Sequence, residues 1–442
     1  MKKIFYIGVF LCSILITAQD NNISLGYNDL GVLFSGDDNN GTARSRAMSG
    51  AFGALGGDLS ATEINPAGMA VFLKSEFSVS LNVRNQTIKS NYYGTNTSLE
   101  DDFTNLSQAG AVFTFESGNS KWIRTAVGFN YSVSRDFNNS WTANGNSDFA
   151  TFITDGNYTD DNDDTNDTFY LNTDGQQFQN YTSGKNDKFT FSIASQYSDD
   201  LYLGASVTSN DLSFYQATLL EENNNDGNGN TNASESYLRN YLLTTGTGIS
   251  FTLGLISKPT DNMRLGLSYQ SPTWYDLFEE YDDEFATSAL EYTLRTPSKL
   301  TGSFAYIFDK NGLISVDYIH KNYSNININS SVNFNDVNQI FDTDLKGTSE
   351  VRIGTEWRHK NASFRGGYHF EQSPYKNALS SDDLKGYSFG LGYNFGNMKV
   401  DLSYENSNRT DVYDFYPQYN EVNAAELDFD TSKITATLVF NI

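Results

Sequence analysis

The stretch Trp122–Arg135, WIRTAVGFNYSVSR, alternates between larger apolar side chains and smaller or polar ones. The first face carries Ile123, Thr125, Val127, Phe129, Tyr131 and Val133, and the second carries Arg124, Ala126, Gly128, Asn130 and Ser132. A period of two residues places alternate side chains on opposite faces of a β-strand. The stretch therefore predicts a strand with one apolar face and one small or polar face.

The same alternation returns at 247–256, at 387–395 and in the last residues of the chain, Ile434–Ile442. After residue 20 there is no apolar run of the roughly 18 residues that a membrane-spanning helix needs. Aromatic residues make up 14% of the chain, yet its mean hydropathy is only −0.48. This composition indicates a β-rich protein with apolar strands and long polar loops.

The charge and the rare residues limit the possible functions. The formal net charge is −25, and the clustered Lys and Arg that phosphate contacts require are missing, so we expect no nucleic-acid partner. Three histidines and one cysteine leave little material for a metal centre, so we expect no metal and no cofactor. Gly386–Gly390 matches G-x-S-x-G, but it lies within an alternating strand rather than at a strand-to-helix turn. We therefore expect no catalytic residues and no enzyme.

The first eighteen residues predict a secretory signal peptide. Lys2 and Lys3 precede the apolar stretch Ile4–Ile16, and Thr17–Ala18 precede the polar Gln19. This order of basic, apolar and small residues is typical of an export signal, with cleavage after Ala18. The single cysteine, Cys12, lies within this segment, so the mature chain is expected to contain none.

Short and long connections alternate along residues 75–442. Short turns are predicted near 118–121, 199–200, 258–261, 309–312, 359–361 and 395–397. Long polar connections are predicted at 91–107, 136–186, 218–245, 272–288, 322–348, 372–384 and 408–430. With 289–308 taken as one strand kinked at Pro297, the chain contains fourteen strands. An even strand number, with short turns at one end and long extracellular loops at the other, is typical of a transmembrane antiparallel β-barrel. A closed barrel also pairs every backbone group in lipid.

Residues 19–74 do not alternate and are rich in glycine and other small residues. The motif Asn65–Pro66–Ala67–Gly68 predicts a turn, because proline fixes φ and asparagine bonds to its own backbone. A compact, largely uncharged segment ahead of a barrel is expected inside the lumen, as a plug.

Within this segment, Arg46–Phe52 (RAMSGAF), together with Ala54, Asp58, Ser60–Ala61 and the Asn65–Gly68 turn, resembles the plug signature of the FadL-type transporters. These are channels for long-chain fatty acids and other hydrophobic compounds in the outer membrane of Gram-negative bacteria. The resemblance implies passive uptake of a small hydrophobic ligand from the extracellular loops, followed by movement of the plug. It also implies sideways exit into outer-membrane lipid near the third strand, where Gly128 is the visible weak point.

Five residues are candidates for ligand binding. Trp274, Tyr275 and Phe278 form an apolar set in the predicted loop 272–286, whereas the alternation places Arg124 and Arg264 on the inner face. The two arginines either meet a ligand head group or pair with carboxylates of the wall or plug. Six carboxylates in the same loop would repel a fatty-acid anion, which favours a neutral or zwitterionic hydrophobe.

Two other functions remain open at this stage. A PorV-like shuttle of a secretion system would dock a secreted protein on the acidic loop 136–186, and a haem-related receptor would bind haem. The acidic runs 160–167, 221–230 and 276–284 are either calcium sites or solvated surface. We expect a monomer.

Overall fold

The computed structural model describes residues 23–117, 121–151, 172–225, 234–283, 286–309 and 311–442. The predicted signal peptide and the acidic run 160–167 lie outside these residues. The strand segments are β1 Glu76–Tyr92, β2 Thr95–Glu116, β3 Trp122–Asp136, β4 Asn139–Gly145, β5 Asn172–Tyr197, β6 Leu201–Asn225, β7 Ser234–Thr260, β8 Met263–Gln270, β9 Trp274–Asp283, β10 Thr287–Arg295, β11 Lys299–Phe308, β12 Gly312–Asn322, β13 Asn327–Ser330, β14 Gly347–His359, β15 Ala362–Glu371, β16 Leu384–Asn394, β17 Met398–Tyr413 and β18 Ala425–Asn441. The helices are α1 Tyr27–Ser35, α2 Ala43–Arg46, α3 Ala61–Ile64 and α4 Asn335–Asp344, with 3₁₀ turns η1 Pro66–Val71 and η2 Tyr323–Asn325.

The sheet closes on itself. β1 pairs with β18 in an antiparallel ladder that runs from Glu76↔Asn441 to Asn91↔Glu426. Eighteen segments make fourteen barrel strands, because β3–β4, β8–β9, β10–β11 and β12–β13 are each two halves of one strand. The predicted strand count is therefore confirmed, and the break between β10 and β11 falls at Pro297, as predicted.

The outer surface is apolar where the barrel crosses lipid. In β3 the ring of Phe129 is 55% exposed, while its neighbours Gly128 and Asn130 are buried on the inner side. The apolar face of the alternation therefore points outward and the small or polar face points into the lumen, as in outer-membrane barrels. Among the described helices, none has the length and apolar character needed to span a bilayer.

Several connections predicted to be long loops are strands instead. β1 and β2 meet at the two-residue turn Tyr93–Gly94, so most of 91–107 is paired. Most of 218–245 and 272–288 also belongs to ladders, in β6–β7 and β9–β10. In these stretches many outward-facing side chains are polar or charged, so the apolar outward face that marks the lipid-facing strands is lost and the sequence resembles a loop. Non-strand connections remain at 331–346, with α4, at 372–383 and at 414–424.

The described part of the amino-terminal segment, residues 23–74, fills the lumen. Met48, Ala51 and Ala54 have no exposed surface, and Phe52 is 1% exposed. The turn η1 contacts four wall strands, β3, β5, β6 and β7. The predicted plug is therefore present inside the barrel.

Candidate functional site

The Asn65–Gly68 motif forms the predicted turn and also ties the plug to the wall. Asn65 caps η1, and its Oδ1 accepts from the backbone N of Ala67 at 3.2 Å. Its Nδ2 donates to the carbonyl of Gly53 at 2.7 Å and to that of Leu255 in β7 at 3.1 Å. The asparagine side chain thus joins two parts of the plug and one wall strand.

Wall glycines allow the plug backbone to lie directly on the barrel. A Cβ added at Gly204 would collide with the backbone of Pro66 and Ala67, and one added at Gly254 would collide with the Asn65 side chain. Glycine is needed here for close approach of two backbones. The plug backbone therefore contacts the wall directly at β6 and β7.

Ion pairs hold the linker between α1 and α2. Asp37 Oδ1 lies 2.6 Å from Lys188 Nζ, and Asp37 Oδ2 lies 3.3 Å from Lys299 Nζ. Asp38 pairs with Lys433 of β18 at 3.0 Å. Burial alone would raise the pKa of the Asp37 carboxyl. The two nearby ammonium groups have the larger effect, and they hold this pKa well below its usual range. These contacts bind the linker to opposite sides of the wall.

A second group of charges anchors the lower plug. Arg44 Nε donates to Glu356 of β14 at 2.8 Å, and Arg365 of β15 shares the same carboxylate at 2.7 Å. The backbone N–H groups of Phe52 and Gly53 donate to Asp317 Oδ2 at 3.0 and 2.8 Å. The sequence reasoning missed all of these wall partners.

Above the ion pairs, α1 lies in an apolar chamber. The chamber consists of the buried side chains Leu30, Phe34, Phe137, Leu212, Phe214, Leu242, Tyr275, Leu277, Tyr292, Leu294, Tyr323, Ile326, Ile328, Phe334, Phe341 and Leu345. Leu30 and Phe34 belong to α1, and Phe341 of α4 packs against Gly31 so closely that a Cβ there would lie 2.8 Å from its ring. The plug's own helix therefore occupies the apolar space, with α4 as its cover.

Little empty space remains below the chamber. A cavity of about 70 Å³ adjoins Asp37, Glu63, Lys188, Lys299 and Arg352. This volume holds only a few water molecules. Among the described residues, this cavity beside the plug linker is too small for an aromatic ligand, so the linker is in a closed position.

The wall ladder between the second and third barrel strands is incomplete. β2 pairs with β3 only from Gln108↔Ser132 to Glu116↔Arg124, whereas β4 pairs with β5. Of the described residues of β2, 95–107 pair with β1 but have no ladder partner on β3 or β4. Instead, β4 packs against both β1 and β2, and the Thr142 carbonyl accepts from Ser90 Oγ of β1 at 2.5 Å and from Thr97 Oγ1 of β2.

We call the unpaired region between β2 and β3 the strand gap. Asn105 and Ser107 of β2 lie opposite Val133 of β3 there, next to the plug residues Asp38 and Asn40. Gly128 is not the weak point, because it pairs with Val112 in the complete part of the ladder and lies against Met69 of the plug. The expectation that singled out Gly128 was therefore wrong in position, since a strand gap depends on register and not on a single small residue.

The structure separates the three predicted loop aromatics. They lie on β9 rather than in a loop, so successive side chains point to opposite faces. Trp274 and Phe278 are 44% and 39% exposed on the outside, where Trp274 stacks on Phe251 at 6.1 Å. Tyr275 is 2% exposed inside the apolar chamber, and its Oη accepts from Asn186 Nδ2 at 2.8 Å.

Both predicted arginines face inward, and each has a protein partner. Arg124 lies 3.3 Å from Glu116 on the neighbouring strand. Arg264 Nη1 donates to the plug carbonyl of Leu55 at 2.5 Å. Within the described ranges, no group of three or more His, Cys, Asp or Glu side chains is placed to hold a metal ion.

Comparison with known proteins agrees with this architecture. The family described as "Outer membrane protein transport protein (OMPP1/FadL/TodX)" matches residues 34–438. A FadL homologue from Pseudomonas aeruginosa is 15% identical with a TM-score of 0.63, over 92% of this chain and 99% of that one. The toluene transporter TodX of Pseudomonas putida is 15% identical, with a TM-score of 0.53 over 92% and 99% of the two chains. The monoaromatic hydrocarbon channel CymD is 16% identical, with a TM-score of 0.53 over 91% and 97%.

None of the curated protein sequences matches the chain. The family match nevertheless spans most of the plug and almost the whole barrel. The matched family consists of transport proteins, and its barrels lie in the outer membrane of Gram-negative bacteria. The structure is a closed fourteen-strand barrel whose lumen is plugged by the amino-terminal segment, and the family match covers residues 34–438. This chain therefore belongs to the OMPP1/FadL/TodX family of outer membrane transport proteins.

Proposed function

We propose that the protein is a passive channel that takes small hydrophobic compounds from the extracellular side into the outer membrane. The apolar chamber carries this proposal, because it is an extended buried apolar cluster that lies directly above the ion pairs of the plug linker. Its present occupant is α1, a part of the plug. A small hydrophobic ligand that replaces α1 would bury its own apolar surface in this space.

The strand gap is the proposed exit. It lies next to Asp38 and Asn40, at the level of the plug linker and below the chamber. An apolar ligand gains nothing by entering water, so a sideways path into lipid costs less than a path past the lower plug into the periplasm. The whole path lies within one chain, and a monomer is sufficient for it.

Of the five predicted ligand residues, Tyr275 lines the proposed path. Trp274 and Phe278 face the outside of the barrel, where a ligand in the lumen does not touch them. Arg264 is bonded to the plug, and we propose that it positions the plug rather than the ligand. TodX and CymD are described as toluene and monoaromatic hydrocarbon transporters, which supports a neutral aromatic ligand for this chain.

The test is to lock the plug. Ser49 Oγ of the plug lies 2.8 Å from Ser388 Oγ of β16, so Ser49→Cys with Ser388→Cys should form a disulfide. The only native cysteine is Cys12, in the predicted signal peptide, so no other thiol competes. A matched control, Thr190→Cys with Thr208→Cys, joins β5 to β6 at an Oγ1–Oγ1 distance of 3.0 Å and leaves the plug free.

Uptake of radiolabelled toluene would be measured in Gram-negative cells that express each variant and have an intact lipopolysaccharide layer. We expect the oxidised plug lock to reduce uptake to the level of cells without the protein, and a reductant to restore it. The oxidised control should transport like wild type. Equal uptake with the plug locked and unlocked would overturn the proposal.

A further inference from the structure

The carboxylate of Glu279 lies in the apolar chamber and is 5% exposed. No lysine or arginine of the described residues forms an ion pair with it. Three hydroxyl groups donate to it instead: Tyr27 at 2.7 Å, Tyr292 at 3.1 Å and Thr244 at 3.4 Å. A carboxylate buried among apolar side chains is costly unless donors satisfy its oxygens. The Glu279 carboxylate therefore requires hydrogen-bond donors whether or not α1 is in the chamber.

The three donors differ in how firmly they are held. Thr244 and Tyr292 belong to wall strands β7 and β10, and both share Oε2. Tyr27 is the first residue of α1, and it makes the shortest of the three bonds, to Oε1. Any movement that takes α1 out of the chamber leaves Oε1 without its donor.

Tyr27 sits in the chamber as a bound phenol would. Its ring packs edge-on against Tyr292, with centroids 5.9 Å apart, and edge-on against Phe334, with centroids 4.9 Å apart. Leu277 and Leu290 belong to the same apolar cluster. Ring and hydroxyl are thus recognised separately, the ring by aromatic edges and the hydroxyl by Glu279.

We propose that Glu279 makes the chamber selective for phenolic compounds, which replace the side chain of Tyr27. This inference rests on the proposed function and names its substrate class. A phenol restores the donor to Oε1 and the ring contacts together. A hydrocarbon of the same shape leaves Oε1 unsatisfied, and a carboxylate adds a second negative charge beside Glu279.

The experiment compares three probes of matched shape: 4-propylphenol, propylbenzene and 4-propylbenzoate. Binding to the full-length mature protein in detergent is measured by calorimetry for wild type, Glu279→Met, Tyr27→Phe and Glu280→Gln. Met keeps an apolar side chain of similar length but removes the acceptor. Glu280 is the next residue on β9 and faces outward, so it serves as the control.

Wild type and Glu280→Gln should bind 4-propylphenol about tenfold more tightly than propylbenzene, and 4-propylbenzoate most weakly. Glu279→Met should abolish the preference for the phenol. Tyr27→Phe keeps the ring and deletes the competing hydroxyl, so it should bind the phenol about fivefold more tightly than wild type does. This second variant keeps the test decisive if Glu279→Met fails to fold.

Three outcomes separate this inference from the proposed function. If propylbenzene binds and is transported as well as the phenol, and Glu279→Met changes neither, the selectivity is refuted while the channel stands. Tighter binding of the benzoate would refute the selectivity in the same way. If none of the probes binds or is taken up, the channel itself is refuted.

Discussion

Asp37 of the plug and Lys188 of the wall form an ion pair of 2.6 Å inside the barrel, and Lys299 approaches the same carboxylate from β11. The plug linker is therefore held by ion pairs, while α1 above it is held by apolar packing and by the hydrogen bonds of Tyr27 and Asp29. A buried ion pair contributes little net stability when it replaces hydration, but removal of one partner leaves an uncompensated charge. Plug movement must therefore separate these charges together with the departure of α1.

The substitution Asp37→Asn should loosen the plug linker. It leaves Lys188 and Lys299 without their shared carboxylate; breaking a fully buried pair costs about 3–5 kcal/mol, and the cost here is smaller because the Asp37 side chain is 26% exposed. Hydrogen exchange of residues 36–42 should become faster, and toluene uptake should rise. The control is Asp261→Asn, in an exposed turn at the short-turn end of the barrel. Unchanged exchange in Asp37→Asn would show that the linker is held by other contacts.

Gly204→Ala should destabilise the closed plug. The new methyl group would collide with the backbone of Pro66 and Ala67, and overpacking of this kind costs roughly 1–3 kcal/mol. Protease cleavage within residues 61–72 should become measurable in folded barrels. Gly302→Ala is the matched control, because a Cβ there meets no atom within 4 Å. Equal cleavage in the two variants would contradict close packing at Gly204.

Asn65→Asp should weaken the turn although the two side chains have the same shape. Aspartate still accepts from Ala67 N but cannot donate to the carbonyls of Gly53 and Leu255. Leaving these acceptors facing a carboxylate costs about 1–3 kcal/mol. Hydrogen exchange of 65–72 should therefore speed up, with Asn361→Asp in an exposed turn as the control. Should exchange in Asn65→Asp equal wild type, the turn would depend on proline and glycine alone.

How much of this could be predicted from the sequence depended on the surroundings of each strand. Within lipid, the outward face must be apolar, so the alternation of apolar and polar residues is clear in the sequence of Trp122–Arg135. Above the lipid, the same strands meet water, and a stretch such as Glu221–Asn225 of β6 looks like a loop although it is paired. The alternation of apolar and polar residues disappears because the outer face of one strand passes from lipid into water.

The candidate site was less predictable than the fold, because its partners are remote in sequence. The motif Asn65–Gly68 is a local turn and was recognised as one. Arg44 and Glu356, by contrast, are 312 residues apart and are brought together only by the closed barrel. Trp274 and Tyr275 are neighbours in sequence, yet strand geometry places the first on the outer surface of the barrel and the second in the lumen.

Docking of α1 should depend on pH through Asp29, whose carboxylate accepts from Tyr375 Oη at 2.7 Å. Burial raises the pKa of Asp29 to about 6, from a value near 3.9 for a free side chain. A raised pKa means that the docked helix prefers the protonated acid. The resulting stabilisation is complete below about pH 4 and is lost as the pH rises through about 6. Asp37 and Asp38 have lowered pKa values, so their titration falls below this window.

The two-unit difference corresponds to at most about 3 kcal/mol. Hydrogen exchange of residues 27–35, corrected for the intrinsic pH dependence of amide exchange, should be slower at pH 5 than at pH 7. Asp29→Asn imitates the protonated acid, so its corrected exchange should be slow and nearly equal at both pH values. A pH dependence that persists in Asp29→Asn would assign the titration to another group. Equal protection of wild type at both pH values would show that Asp29 is ionised at pH 5 in the docked helix.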